Sequence, residues 1–182
     1  NMKILFISDI HGVYTNLDAI ENVINNQNIE LLVVLGDLYY RGFNRVSSTV
    51  VDNFVVRGFL EKYSDILICM KGNCDSDVDI SKSNFPILSD ISMIYVDNKC
   101  IYLSHGDKYS YEKRNKFNNK GILMYGHYHI PSIKKDNNMI YINVGSISLP
   151  RDNSAYSYCI YENNKFTLYD IEGNIIDSII VE

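Results

Sequence analysis

Three short apolar runs, Ile4-Leu5-Phe6-Ile7, Leu31-Leu32-Val33-Val34-Leu35 and Ile66-Leu67-Ile68-Cys69-Met70, each stop at a polar turn that contains a glycine. Runs this short, rich in β-branched residues and bounded by turn formers, read as strands buried on both faces. The segments between them repeat apolar residues at helical spacing. Leu17, Ile20, Val23 and Ile24 recur to about residue 26, behind a Thr15-Asn16-Leu17-Asp18 capping box in which Thr15 caps and Asp18 reaches back. Val51, Phe54, Val55 and Leu60 put a second helix over about residues 49–63. A βαβαβ opening implies parallel strands with right-handed crossovers. Ligands of such sheets gather at the carboxyl ends of the strands.

The second half has a different texture. Residues 76–90 are polar around Pro86 and read as a loop or surface excursion. Strands are expected over 91–96 and 100–103, around an Asp97-Asn98-Lys99 turn, then over 122–125 and 139–144. A polar helical stretch is expected near 111–118. Three alternating strands, over about 156–161, 166–171 and 175–181, close the chain. The pattern predicts two packed sheets with helices outside. No Pro/Gly linker marks a second domain, so residues 1–182 are expected to form one.

Composition narrows the function classes. A net charge of −5 gives no global attraction to nucleic acid or anionic membranes. No apolar run reaches the roughly 18–20 residues of a membrane span, and the start is not patterned as a signal peptide. Cys69, Cys74, Cys100 and Cys159 form no CxxC pair and read as free thiols of a reducing compartment, so a cytoplasmic location is expected. The fifteen tyrosines read as strand formers and amphipathic surface, not as a stacking platform for bases.

The chain has four histidines, His11, His105, His127 and His129, and each follows a predicted strand beside a glycine. Asp9, Asp37 and Asn73 occupy equivalent places, which makes seven oxygen and nitrogen ligand candidates at five strand ends. Asp9 and His11 are two residues apart and point the same way if strand geometry persists. Alone, each acid reads as a turn carboxylate and Asn73 as a turn residue. Together, imidazole, carboxylate and amide oxygen suit Mn²⁺, Zn²⁺, Fe²⁺ or Ni²⁺. Seven ligands exceed what one ion accepts but fill two if a carboxylate bridges.

Asp9-Ile10-His11, Gly36-Asp37, Gly72-Asn73-Cys74-Asp75, His105-Gly106 and Gly126-His127-Tyr128-His129 resemble, in order, the five motif blocks of the calcineurin-like metallophosphoesterases. Chain length and the Gly-Asn-Cys-Asp block are most similar to the small YfcE-type phosphodiesterases. The resemblance implies a four-layer αββα sandwich. It implies that Asp9, His11 and His129 hold one divalent ion, that Asn73, His105 and His127 hold a second, and that Asp37 bridges them, with Mn²⁺ the leading candidate. The implied reaction is in-line attack by a metal-bridging hydroxide on a small organic phosphodiester, with Asn73, Cys74, Asp75 and His105 as the catalytic set. Two divalent ions against two carboxylates leave net positive charge, so an acidic protein still attracts phosphate.

Two positions depart from the family pattern. Cys74 stands where relatives commonly carry a histidine that contacts phosphate or protonates the leaving group. A thiol beside two cations is a poor acid at neutral pH, which favours substrates with good leaving groups. Asp107 stands where relatives often have another histidine, and its role is open between a group behind a ligand and a surface residue. Asp75 is expected to orient a metal-bound imidazole. Tyr39, Tyr40, Arg41 and Arg45, in the loop after Asp37, and Arg151 are candidate substrate contacts, although long cations on loops are more often solvated. A phosphomonoesterase, a nuclease and a non-catalytic scaffold, as in the retromer subunit that resembles this branch, are the alternatives. Homo-oligomerisation is left open.

Overall fold

The computed structural model describes residues 2–42, 48–116 and 120–182. The parallel opening forms as expected. Strands β1 (Ile4–Ile7), β2 (Leu31–Val34) and β3 (Leu67–Met70) pair in parallel and alternate with helices α1 (Leu17–Asn26) and α2 (Asn53–Lys62). A short helix α3 (Asp77–Ser81) and a two-residue strand β4 (Ile87–Leu88) lie in the stretch read as loop. Next come β5 (Ile91–Val96), β6 (Lys99–Ser104), β7 (Gly121–Tyr125), β8 (Ser132–Asp136) and β9 (Met139–Asn143). The chain closes with β10 (Ser157–Glu162), β11 (Lys165–Asp170) and β12 (Ile175–Ile180).

Two mixed sheets result. One has seven strands in the order β12-β11-β10-β1-β2-β3-β4, the other five in the order β5-β6-β7-β9-β8. The closing meander therefore joins the opening sheet, with β10 antiparallel to β1. Strand alternation builds the layers. Ile4, Phe6, Val33 and Leu35 face Ile101, Leu103, Ile122, Met124 and Ile142 of the other sheet. Their neighbours Leu5, Ile7, Leu32 and Val34 face Leu17, Ile20 and Ile24 of α1 and Val56 and Leu60 of α2. At about 25 cal/mol per Å² of apolar area removed from water, these two cores are the main source of stability. The outer face of the five-stranded sheet, around Leu123, Tyr125 and Tyr141, is covered by tyrosines that include Tyr111, in a 3₁₀ segment Tyr111–Lys116. The architecture is the αββα sandwich, with this fourth layer thin among the described residues.

Local expectations fared unevenly. Thr15 does not cap α1. Asn16 is the N-cap residue, no side chain caps the helix, and the Asn16 amide instead donates to the Ile147 carbonyl at 2.6 Å. Helix α2 starts after Asp52, whose carboxylate accepts from the Phe54 and Val55 N–H groups at 2.8 and 3.2 Å. Val51 forms a bridge with Val13, which fixes the helix phase so that Val56 and Leu60 are buried while Phe54 and Val55 are exposed. The helix expected at 111–118 is a 3₁₀ segment with a break at Lys113, and residues 117–119 lie outside those described. The Asp97-Asn98 turn has φ values of 48° and 62°, the left-handed pair that a tight two-residue hairpin requires.

Candidate metal centre

All seven ligand candidates lie on loops that leave the carboxyl ends of β1, β2, β3, β6 and β7. Those loops are bound to one another. Asp9, His11 and Gly12 donate backbone N–H bonds to the carbonyls of Gly36, Asp37 and Leu38 at 3.0, 2.8 and 2.9 Å, and Gly126 donates to the His105 carbonyl at 2.8 Å. Ser146, beyond β9, donates its hydroxyl to the Asp9 carbonyl at 2.8 Å.

Strand geometry does not persist to Asp9 and His11. Asp9, His11, Asp37, His127 and His129 have φ of 57°, 51°, 53°, 65° and 61°. For residues other than glycine this left-handed region costs on the order of 1 kcal/mol or more each, and such strain concentrates at functional sites. The loops also approach too closely for side chains at Gly72 and Gly126. A Cβ at Gly72 would collide with the backbone and carboxylate of Asp37, and one at Gly126 with Ser8 and the Asp9 carboxylate.

One half of the centre is closed. Asp9, His11 and His129 are buried, with Asp9 Oδ1 at 3.6 Å from His11 Nε2 and 3.2 Å from His129 Nε2. The other Asp9 oxygen accepts from the His127 N–H at 2.8 Å, while Oδ1 has no hydrogen-bond partner. His129 Nδ1 donates to the Leu149 carbonyl at 2.5 Å, which turns the ring's remaining lone pair toward Asp9 and toward His11 Nε2, 3.3 Å away. A buried lone pair facing a buried carboxylate oxygen needs a cation between them, a proton or a metal ion. Burial alone would raise the Asp9 carboxyl, but the adjoining His11 and His129 rings hold it well below the usual carboxylate range.

The other half is more open. Asn73 is exposed and His127 half-buried. Both face the buried His105, whose Nε2 lies 3.0 Å from Asn73 Oδ1 and 3.3 Å from His127 Nδ1. His105 Nδ1 donates to the Leu35 carbonyl at 2.8 Å, so its Nε2 lone pair also faces inward. Burial opposes protonation of this ring, yet the Asp37 and Asp9 carboxylates lift its pKa to about 9. Burial and the His105 charge push His127 down. Asp37 joins the halves, with Oδ2 at 3.5 Å from His11 Nε2 and 3.3 Å from His105 Nε2, while its Oδ1 accepts from the Cys74 N–H at 2.7 Å. The donor set of orphaned carboxylate oxygen, inward imidazole lone pairs and amide oxygen fits divalent cations. Donor atoms of Asp9, His11 and His129, and those of Asp9, Asp37 and His105, lie within 4.8 Å of one another.

Three roles expected around the centre need correction or restatement. Asp75 touches no imidazole. Its carboxylate accepts four backbone N–H bonds, from Asp37 at 2.9 Å, Leu38 at 2.8 Å, Tyr39 at 3.2 Å and Gly72 at 2.8 Å, and so fixes the loop that carries Asp37. Those partners are backbone groups, which sequence does not display. Burial and the nearby Asp37 raise its pKa to about 6 despite the four donors. Tyr39 does not line the cleft: its ring is fully buried in the helix-side core, its hydroxyl is 2.5 Å from Ser83 Oγ, and the Arg57 guanidinium covers the ring. The Cys74 thiol, next to Asn73 Nδ2 at 3.4 Å, is pushed up to about 12 by burial and by Asp37, so the protein's own groups act against the lowering expected from bound cations.

Arg41 and Asp107 line a cleft beside Asn73. Arg151 is exposed on the His129 side, where burial and, to a smaller extent, the Arg151 charge oppose the rise that Asp9 gives the His129 pKa, and Tyr40 anchors its backbone on Asn53 at 2.8 Å. Arg45 lies outside the described residues. Ser146 and Asn143 were missed. Asn143 donates to the Gly126 carbonyl at 2.9 Å and accepts from the Gly145 N–H at 2.9 Å, and the only sequence signal was the Gly145-Ser146 turn after a strand.

The chain is similar to known proteins in sequence and fold. A model of the calcineurin-like phosphoesterase superfamily domain matches residues 2–165. The phosphodiesterase YfcE of Escherichia coli K12 is 27% identical over 178 residues, 96% of this chain and 95% of that protein. A solved structure of that E. coli phosphoesterase superposes with a TM-score of 0.92 at 27% identity and full coverage of both chains. The vacuolar protein sorting 29 structure from Cryptosporidium parvum, at 16% identity, a TM-score of 0.67 and coverage of 99% and 98%, shares the fold.

Proposed function

The chain belongs to the calcineurin-like phosphoesterase superfamily, and on that premise we propose that it is a metal-dependent phosphodiesterase acting on small organic phosphodiesters. The observation that carries the reading is Asp37, whose Oδ2 sits 3.5 Å from the imidazole nitrogen of His11 and 3.3 Å from that of His105, the position of a shared ligand. In this reading Asp9, His11 and His129 hold one divalent ion, Asn73, His105 and His127 the other, and Asp37 both. When bound, two such ions supply a lowered pKa for water and positive charge against the phosphoryl oxygens. Mn²⁺ is the proposed ion, since the donors are carboxylate, amide and imidazole.

The chain's own residues do the positioning. The Leu35 and Leu149 carbonyls fix the tautomers of His105 and His129, so that each ring presents Nε2 to the centre. Asp75 holds the Asp37 loop through four N–H groups, and Ser146 holds the Asp9 carbonyl. The Cys74 thiol, pushed up by burial and by Asp37, is only a weak acid for the departing alkoxide, which favours leaving groups that need little protonation. The reading takes the chain as one domain, because β10–β12 complete the sheet that β1 begins. No helix among the described residues is long and apolar enough to cross a membrane. Four free cysteines support a reducing, cytoplasmic setting.

The test is turnover by metal-stripped protein reloaded with Mn²⁺, Zn²⁺, Ni²⁺ or Fe²⁺ on a bis-aryl phosphodiester and the matching monoester. Diester cleavage that depends on added metal and exceeds monoester cleavage is expected. Faster monoester cleavage would contradict the diesterase reading, and no turnover with any ion would contradict the enzyme reading.

A further inference from the structure

A cleft of about 600 Å³ opens beside Asn73 and Gly72, on the less buried side of the centre. Its walls come from both sheets. Lys71, just after β3, is 2.8 Å from the Asp77 carboxylate on one wall. Lys108, just after β6, pairs with Asp90 on the other. Arg41 and Asp107 stand among the lining groups, and among the described residues no aromatic or aliphatic side chain does. Ordinary small-molecule pockets are mostly apolar with a few polar groups, so this lining is selective in the opposite sense.

We propose that this cleft receives one ester arm of the phosphodiester, and that the arm it takes is a polyhydroxylated alcohol of the glycerol or sugar type. The proposal rests on the phosphodiesterase reading above. A hydroxyl both donates and accepts, and each lysine–carboxylate pair offers an acceptor and donors side by side. A nucleobase draws its affinity largely from stacking on aromatic rings, and an acyl chain from apolar burial. The described walls supply neither. A strongly charged arm gains little, because the lining cations Arg41, Lys71 and Lys108 are matched in number by the lining carboxylates Asp77, Asp90 and Asp107. Both pairs are open to solvent, with the Asp77 side chain 94% exposed and those of Lys108 and Asp90 both 55% exposed. Exposed pairs of this kind are worth little, so a hydroxyl can insert between the partners cheaply.

The experiment compares kcat/KM of the Mn²⁺-loaded chain on three p-nitrophenyl phosphodiesters that share a leaving group and differ in the other arm: methyl, glyceryl and thymidine 5′-yl. Glyceryl should exceed methyl by about tenfold, the scale of one or two solvent-exposed hydrogen bonds, with thymidine near methyl. Lys71→Ala and Lys108→Ala should each cut the glyceryl-to-methyl ratio about fivefold or more. Lys135→Ala, at the exposed residue of edge strand β8, should leave it unchanged. Calorimetric binding of glycerol 3-phosphate should weaken in the first two variants and not in the third. Equal rates on glyceryl and methyl esters, a preference for thymidine, or ratios indifferent to Lys71 and Lys108 would overturn the subsite. Failure to hydrolyse even the methyl ester would overturn the phosphodiesterase reading instead, and the glycerol 3-phosphate isotherms would still decide whether the cleft binds a polyol phosphate.

Discussion

The two halves of the centre are built from similar residues and differ in their surroundings. Asp9, His11 and His129 are at most 2% exposed, and all three backbones are left-handed. Asn73 is exposed and lines the cleft, His127 is half-buried, and only His105 of their trio is buried. The closed half carries the orphaned Asp9 oxygen and so has the stronger demand for a cation. The open half borders a cleft of about 600 Å³, with room for an ester arm. In the proposed reading burial divides the labour: one side retains an ion, the other meets substrate.

Asp37 is where the comparison breaks most sharply. Asp37→Ala removes the shared ligand and should lower kcat by on the order of 10³-fold or more, with loss of bound metal by elemental analysis. Asp75→Asn comes next. An amide nitrogen would confront backbone N–H donors that now meet carboxylate oxygen, which should cost about 2–4 kcal/mol in denaturant unfolding of the metal-free protein and weaken metal binding with it. A loss of activity with unchanged stability would instead assign Asp75 a chemical role.

The pH dependence of the metal-free chain sharpens the electrostatic side. Folding lifts the His105 pKa to about 9, against an ordinary 6.5, through the Asp37 and Asp9 carboxylates and in spite of burial. Its proton thus stabilises the metal-free fold fully below about pH 6.5, and that contribution, at most about 3 kcal/mol, fades as pH rises through about 9. Metal should remove this dependence, because the ion replaces the proton. Unfolding curves at pH 6, 7.5 and 9, with and without Mn²⁺, check it. The smallest effect separates the helix starts: Asp52→Ala should cost about 1 kcal/mol and Thr15→Ala no more than about 0.5, the reverse of what the capping-box pattern suggests.

The candidate site was legible because its groups carry their chemistry in their side chains and recur at strand ends. Asp9, His11, Asp37, Asn73, His105, His127 and His129 could be selected before any geometry was known. The opening parallel sheet was legible for a similar reason, since buried strands leave unbroken apolar runs. Features made by the backbone were hidden. Asp75 looks like a ligand helper and serves four peptide groups instead. The left-handed conformation at Asp9 and His11, not strand alternation, aims that pair. Strand β8 carries Ser132, Lys134, Lys135 and Asp136 around a single isoleucine, because an edge strand protected by lysines has no apolar signature to read. Phe54 and Val55 share the helical spacing of Val51 and Leu60 yet are exposed, because the Val13–Val51 bridge that sets the phase of α2 joins residues far apart in sequence.

The central claim is that two unequal halves share one carboxylate. Titrating the metal-free chain with Mn²⁺ by calorimetry, beside the His129→Ala and Asp37→Asn variants, tests it directly. The account predicts two ions per chain, one held more tightly, loss of the tighter one in His129→Ala, and weakening of both in Asp37→Asn. A single ion per chain, or two equivalent ions indifferent to Asp37, would contradict it.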